Sequence, residues 1–177
     1  MDLDSVQLMG KYNQWMNHKI YQAAIDLGDE KIKQDRGAFF GSIFATLNHI
    51  YIADIIWLTR FSRHPQEYQY LKSLPKLISY TDLNGSVAKN IISLFKLREE
   101  LDAVIINWCQ EINLIDLEQN LQYKNTKHNP YCKNFAQLVQ HFFNHQTHHR
   151  GQVSTLFSQQ GIDIGVTDLL EIIPDHI

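Results

Sequence analysis

Residues 134–161, NFAQLVQHFFNHQTHHRGQVSTLFSQQG, read as one long helix, and the fold reading starts from it. Asn134 with Gln137 three residues on makes a capping box, and Gly161 supplies the stop. The helix between them spans about 26 residues. At about 100° per residue, Phe135, Leu138, Val139, Phe142, Phe143, Val153, Leu156 and Phe157 gather on one side. A stripe that long is buried only against other long helices. The same segment carries four histidines, His141, His145, His148 and His149, followed by Arg150, Gly151 and Gln152.

Three further segments have the same character. The first runs from about Asp4 to Asp26, with Val6, Met9, Asn13, Met16, Ile20 and Ala24 at helical spacing and Gly28 as its stop. The second, about Ser42 to Phe61, is apolar on nearly every side, which suggests burial between neighbours or at a subunit contact. The third extends from about Ser86 to Glu111, capped by Asp82 or Asn84, with Val87, Ile91, Leu94, Leu101, Ile105 and Trp108 inward and Lys96, Arg98, Glu99 and Glu100 outward. Between Asp116 and Lys133 the chain is turn-like, with room for a short hairpin and no larger sheet. The expectation is an all-α protein, a four-helix bundle forming one domain over residues 1–177.

Composition narrows the function. With 177 residues, 44% apolar and 20% charged, the chain can bury a substantial core. A formal net charge of −3 and the lack of any Lys/Arg run argue against nucleic acid as a partner. No apolar run approaches the roughly 18–20 residues of a membrane span, and the opening MDLDSVQLMG lacks a signal-peptide core, so the expectation is a cytoplasmic protein without a membrane partner. Cys109 and Cys132 are too far apart for a CxxC site and read as reduced thiols, although a lone disulfide is compatible with the sequence.

Bundles build metal sites from inward side chains on facing helices, so the histidines must be sorted by face. With His145 at zero, the apolar stripe centres near 80° and His149 lies at about 40°, whereas His141 and His148 rotate to about −40° and −60°. The inward pair is therefore His145 and His149, one turn apart and able to share one ion. Such a pair is also a common structural feature. His49, the single histidine of the second helix, is either a third ligand or a core imidazole bonded to a carbonyl. Gln152, at about −20°, lies beside the pair and could hydrogen-bond substrate or metal-bound water, or simply be solvated. Arg150, at about 140°, points away and should pair with a carboxylate or a helix end. Gly151 inside a helix suggests close approach of another backbone. Asn13, Trp15 and Asn17 line a pocket or pack, and Trp57 is a pocket wall or a dimer contact.

Several motifs are excluded. Gln146 stands where a zinc peptidase's His-Glu-x-x-His needs its general base. None of the seven glutamates has a histidine three residues later, against a carboxylate-bridged di-iron bundle. No Gly-rich phosphate loop or Gly-x-Ser-x-Gly elbow is present.

Taken together, YNQWMNHKIY in the first helix, FFGSIFATLNHIYIADIIWLTRF in the second and HFFNHQTHHRGQVSTLFSQQG in the fourth, with the closing GVTDLL, resemble the DinB family within the DinB/YfiT-like superfamily. The likeness covers nearly the whole chain. It implies a four-helix bundle, often a homodimer, with one divalent metal per chain held by His49, His145 and His149. Zinc or nickel is the first expectation, and iron or manganese also suits three imidazoles. Relatives in the superfamily that use bacillithiol or mycothiol imply metal-dependent transfer of a low-molecular-weight thiol to an electrophilic small molecule. The alternatives are a non-catalytic, stress-associated metal-binding protein and a metal-water hydrolase. The resemblance fixes neither catalytic nor cofactor-binding residues beyond the metal ligands.

Overall fold

The computed structural model describes residues 1–72, 74 and 86–175. Helix α1 spans Leu3–Leu27, and the Asp2 carboxylate accepts from the Ser5 N–H at its start. After the short α2 (Asp29–Lys33), a loop leads to α3 (Ile43–Phe61), capped by the Ser42 hydroxyl, which accepts from Ala45. A one-turn α4 (Gln69–Lys72) precedes α5 (Ile91–Glu111) and α6 (Leu114–Glu118). Strands β1 (Asn120–Lys124) and β2 (Pro130–Asn134) form the antiparallel hairpin, with Tyr123 opposite Tyr131, and lead directly into α7 (Phe135–Ser158). The Asn134 carboxamide oxygen accepts from Gln137 N–H, while its nitrogen donates to the Leu117 carbonyl. Asn134 thus ends the hairpin and starts the helix with one side chain. Gly161, at φ 72°, closes α7 with its N–H on Ser158 and that of Ile162 on Phe157.

The four long helices, α1, α3, α5 and α7, form the expected bundle. Gly10 meets Cys109 and Asn17 meets Asp102, so α1 and α5 run antiparallel. His49 meets His149 and Phe61 meets Phe135, so α3 and α7 do the same. At one end an aromatic cluster fills the core, with Phe61 stacked on Trp108 at 5.2 Å and set edge-on to Phe135 at 5.4 Å, all fully buried. Each such ring contributes roughly 1.5–3 kcal/mol by burial. The GVTDLL segment lies against α1, where Tyr12 donates its hydroxyl proton to the Thr167 carbonyl and Lys19 bonds the Val166 carbonyl. No described helix is long and apolar enough to cross a membrane.

Four expectations need correction. Helix α5 begins five residues later than Ser86, because Asn90 and Ser93 cap it reciprocally; Asp82 and Asn84 lie outside the described residues. Val87, expected in the stripe, instead precedes the helix and donates its N–H to the Asn48 side chain. Arg98, placed on the solvent face, is completely buried. Gly151 is exposed, and no atom lies within 4 Å of where its Cβ would be, so no second backbone approaches it. Both cysteines are free, Cys109 buried and Cys132 exposed.

Candidate metal centre

The antiparallel run of α3 against α7 brings the three singled-out histidines together. One nitrogen from each of His49, His145 and His149 lies within 4.8 Å of the others, a spread one divalent ion can bridge. Among the described residues no further His, Cys, Asp or Glu joins this group. His145 Nε2 and His149 Nε2 stand 3.1 Å apart, and the His49 ring centroid lies 4.8 Å from that of His149 and 5.4 Å from that of His145. His141 and His148 are exposed, as the helical wheel places them.

The protonation chemistry suits a cation. The Gln152 side-chain oxygen lies 2.8 Å from His149 Nδ1, and an amide oxygen only accepts, so Nδ1 carries the proton. The lone pair of His149 then resides on Nε2, facing the other rings. Gln152 uses its amide nitrogen on His148 Nε2 at 3.3 Å, which links that outward histidine to the site without placing it there. Burial, together with the neighbouring imidazoles of His149, His49, His141 and His148, pushes the His145 ring down to about 3. Burial also lowers His149, with the Gln152 bond opposing the shift. Both rings therefore keep lone pairs at neutral pH, which is what coordination requires. The donor set fits a divalent first-row ion.

Phe40 is a wall residue that the sequence reading missed. It stacks on His49 at 4.0 Å and meets His149 edge-on at 5.5 Å. It sits in the loop before α3, where the Ala38–Gly41 bridge and Gly41 at φ 78° fold the chain back over the histidines. Loops have no periodicity, so only the paired FF before a capped helix could have drawn attention to it.

The larger omission is a buried polar layer just behind the site. Arg98 of α5 contacts the Asp54 carboxylate of α3 at 2.6 Å and the Asp102 carboxylate at 2.9 Å. Gln146 of α7, fully buried, donates its amide to the other Asp54 oxygen at 2.8 Å. Asn13 and Asn17 of α1 donate to Asp102 at 3.1 and 3.0 Å, and Arg150 of α7 donates to both of their carboxamide oxygens. Arg150 does point away from the histidines, but its partners are these amides and the Thr147 hydroxyl rather than a carboxylate or helix end. Burial pushes Asp54 up to about 6, with Arg98 and Gln146 opposing it, and raises Asp102 against Arg98 and Asn17. Burial works against the Arg98 charge too, but Asp102 and Asp54 more than offset it. Trp15 packs on Tyr12 under the Lys19 ammonium, and Trp57 packs against Phe61, Tyr123 and His141.

Comparison with known proteins agrees with this architecture. The chain is 27% identical over 160 residues to "Protein DinB" of Bacillus subtilis (strain 168), covering 89% of this chain and 87% of that protein. No solved structure matches it. The sequence model of the DinB family matches residues 3–174, nearly the whole length, and the chain belongs to the DinB family.

Proposed function

We propose that the protein is a metal-dependent enzyme that transfers a low-molecular-weight thiol to an electrophilic small molecule, with one divalent ion on His49, His145 and His149. The observation that carries this reading is a three-imidazole group with no fourth protein donor among the described residues. Three donors leave coordination space for an outside ligand, the mark of a reactive rather than a closed structural site. When bound, such an ion supplies Lewis acidity that holds sulfur as the nucleophilic thiolate at neutral pH. Zinc or nickel suits the donors best, with iron or manganese next.

The chain's own residues have separate tasks in this reading. His145, kept neutral by burial, and His149, fixed in one tautomer by Gln152, present their lone pairs without a prior proton loss. Phe40 covers the His49 side and keeps bulk water from that flank. The thiol proton leaves to solvent, the sulfur forms a bond to the electrophilic carbon, and that carbon releases its displaced electron pair to the leaving group. The reading includes a cytoplasmic homodimer acting on small molecules, with neither nucleic acid nor membrane as partner.

Elemental analysis of protein prepared without a His-tag tests the metal. About one divalent ion per chain is expected, lost in the His145→Ala, His149→Ala double variant and retained in His148→Ala; equal loss in His148→Ala would refute the assignment of faces. Turnover is tested by pairing the metal-loaded protein with bacillithiol, mycothiol and glutathione against a panel of electrophiles. Absence of reaction with all three thiols would remove the transferase reading.

A further inference from the structure

One turn before His145, the seam between α3 and α7 changes character. The His141 ring lies 6.1 Å from that of His145 and meets the Trp57 ring at 5.0 Å. Over Trp57 stands the Arg60 guanidinium, 4.5 Å from the ring centroid, and Tyr123 of the hairpin, its ring 5.4 Å from that of Trp57, approaches the guanidinium from the same side at 5.2 Å. Arg60 is half-buried, and among the described residues it forms no ion pair with Asp or Glu. The buried Arg98, by contrast, has two carboxylates. Burial and the nearby Arg63 oppose the Arg60 charge while Tyr123 favours it, and burial, Arg60 and Lys133 oppose a charge on His141. A half-buried guanidinium with a second cation nearby and no carboxylate partner is favoured by an anion that completes it.

The geometry shows what kind of anion. Trp57 and Tyr123 together cover one side of the guanidinium, and no described carboxylate takes its N–H donors, which stay available on the side away from the rings. Those donors match a carboxylate, which takes two parallel hydrogen bonds in one plane. We infer that Arg60, backed by Trp57 and Tyr123 near His141, is the anion-recognition residue of the histidine site, and that the thiol it takes carries a carboxylate remote from its sulfur. The inference rests on the thiol reading of the site and adds a substrate class to it. The thiol lies along the α3/α7 seam, with sulfur at the three histidines and carboxylate on Arg60. Thiols whose far end is uncharged bind more weakly for want of that partner.

Cobalt-loaded protein separates this inference from the reading beneath it, because sulfur on cobalt(II) gives a charge-transfer absorption band whatever the catalytic turnover. The probes are glutathione, its diethyl ester, which keeps the thiol and masks both carboxylates, and S-methylglutathione, which keeps the carboxylates and blocks the sulfur. Glutathione is expected to produce the band at a concentration at least about 10-fold lower than the ester, and Arg60→Gln should remove that difference while retaining the band. Equal titrations of glutathione and ester would overturn the role of Arg60 and leave sulfur binding intact. Absence of the band with both thiols, with S-methylglutathione still quenching Trp57 fluorescence in an Arg60-dependent way, would overturn the thiol reading and keep the anion site. Absence of both signals would overturn both. Arg60→Lys, which keeps charge but not the planar fork, should recover only part of the discrimination, whereas a merely structural Arg60 would change thiol and ester binding alike.

Discussion

Replacing Arg98 with Met tests whether the buried charges act as a unit. The guanidinium is completely enclosed and holds Asp54 at 2.6 Å and Asp102 at 2.9 Å. A methionine fills most of the space but leaves two buried carboxylates without their shared cation. Breaking a buried pair in this way costs about 3–5 kcal/mol. At about 2–4 °C per kcal/mol for a chain of this length, the melting temperature should fall by roughly 6–20 °C. The loss should also depend on pH. Asp54 already titrates high in the native protein, near 6, because burial outweighs Arg98 and Gln146. An acid whose folded pKa lies above its unfolded value favours the folded state when protonated, so its contribution declines as pH rises towards the folded pKa. Removing Arg98 raises that folded pKa further, and the decline then continues above pH 6, by up to about 1.4 kcal/mol per pH unit for each carboxylate. Asp54 should dominate, since Asp102 keeps Asn13, Asn17 and the field of Arg150. Urea denaturation of metal-free protein in EDTA, wild type against variant at pH 5.5 and pH 8, measures the difference with all other titrations common to both. The penalty should be about 1–3 kcal/mol larger at pH 8. A penalty under about 1 kcal/mol, or one equal at both pH values, would refute the idea that Arg98 neutralises these groups.

Other expectations follow from single contacts. Gln152→Ala frees the His149 tautomer and should weaken metal binding about 10–100-fold in competition with a chromophoric chelator, whereas Gln152→Glu, which still accepts from Nδ1, should stay close to wild type. Gln146→Leu removes a donor from Asp54 and should cost about 1–3 kcal/mol in urea denaturation while lowering metal affinity; unchanged affinity would disconnect the polar layer from the site. Gly151→Ala, in an exposed helix interior with open space around it, should stabilise by about 0.5–1 kcal/mol and raise the melting temperature by about 1–4 °C. A decrease would mean that another chain packs on that face.

What could be read from the sequence was what is local. Ser42, Asn134 and Gly161 act within four residues of themselves, and each stands at the helix end it marks. The inward choice of His145 and His149 needed only the apolar stripe of one helix. Arg98 was misplaced because it sits in a run with Lys96, Glu99 and Glu100, all of which read as solvated. Its phase with Leu94, Leu101 and Ile105 marks it as inward, but a charge at such a position makes sense only once its partners are known. Those partners are 44 residues away on α3 and one turn away on α5. Asp54, the single acidic residue of α3, offered the complementary sign. The cap of α5 was within reach, since Asn90 and Ser93 have the box spacing; Asp82 and Asn84 have equal cap propensity, and propensity alone does not choose among three candidates. Phe40 acts through a loop, where no period relates neighbours in sequence to neighbours in space.

The position of the polar layer explains why a bundle would retain it despite the cost of desolvating two arginines and two aspartates. Apolar stripes fix which face of a helix turns inward, but they tolerate small slides and rotations, because one methyl packs much like the next. A site made of two histidines on α7 and one on α3 does not tolerate them, as a slide of one residue displaces a ligand by about 1.5 Å and rotates it by about 100°. Hydrogen bonds are directional, and here they adjoin the ligands in sequence. Gln146, next to His145, is bonded to Asp54 of α3, five residues from His49; Arg150, next to His149, is bonded to Asn13 and Asn17 of α1. Each of the two α7 histidines thus has a neighbour that locks the helix in depth and rotation against a different partner. The arrangement divides the helix between chemistry and positioning, with exposed residues such as Asn144 outside both tasks. It also makes Asp54 and Arg98 positioning residues for a site they do not touch, so substitutions there should alter metal affinity without changing any of the three imidazoles.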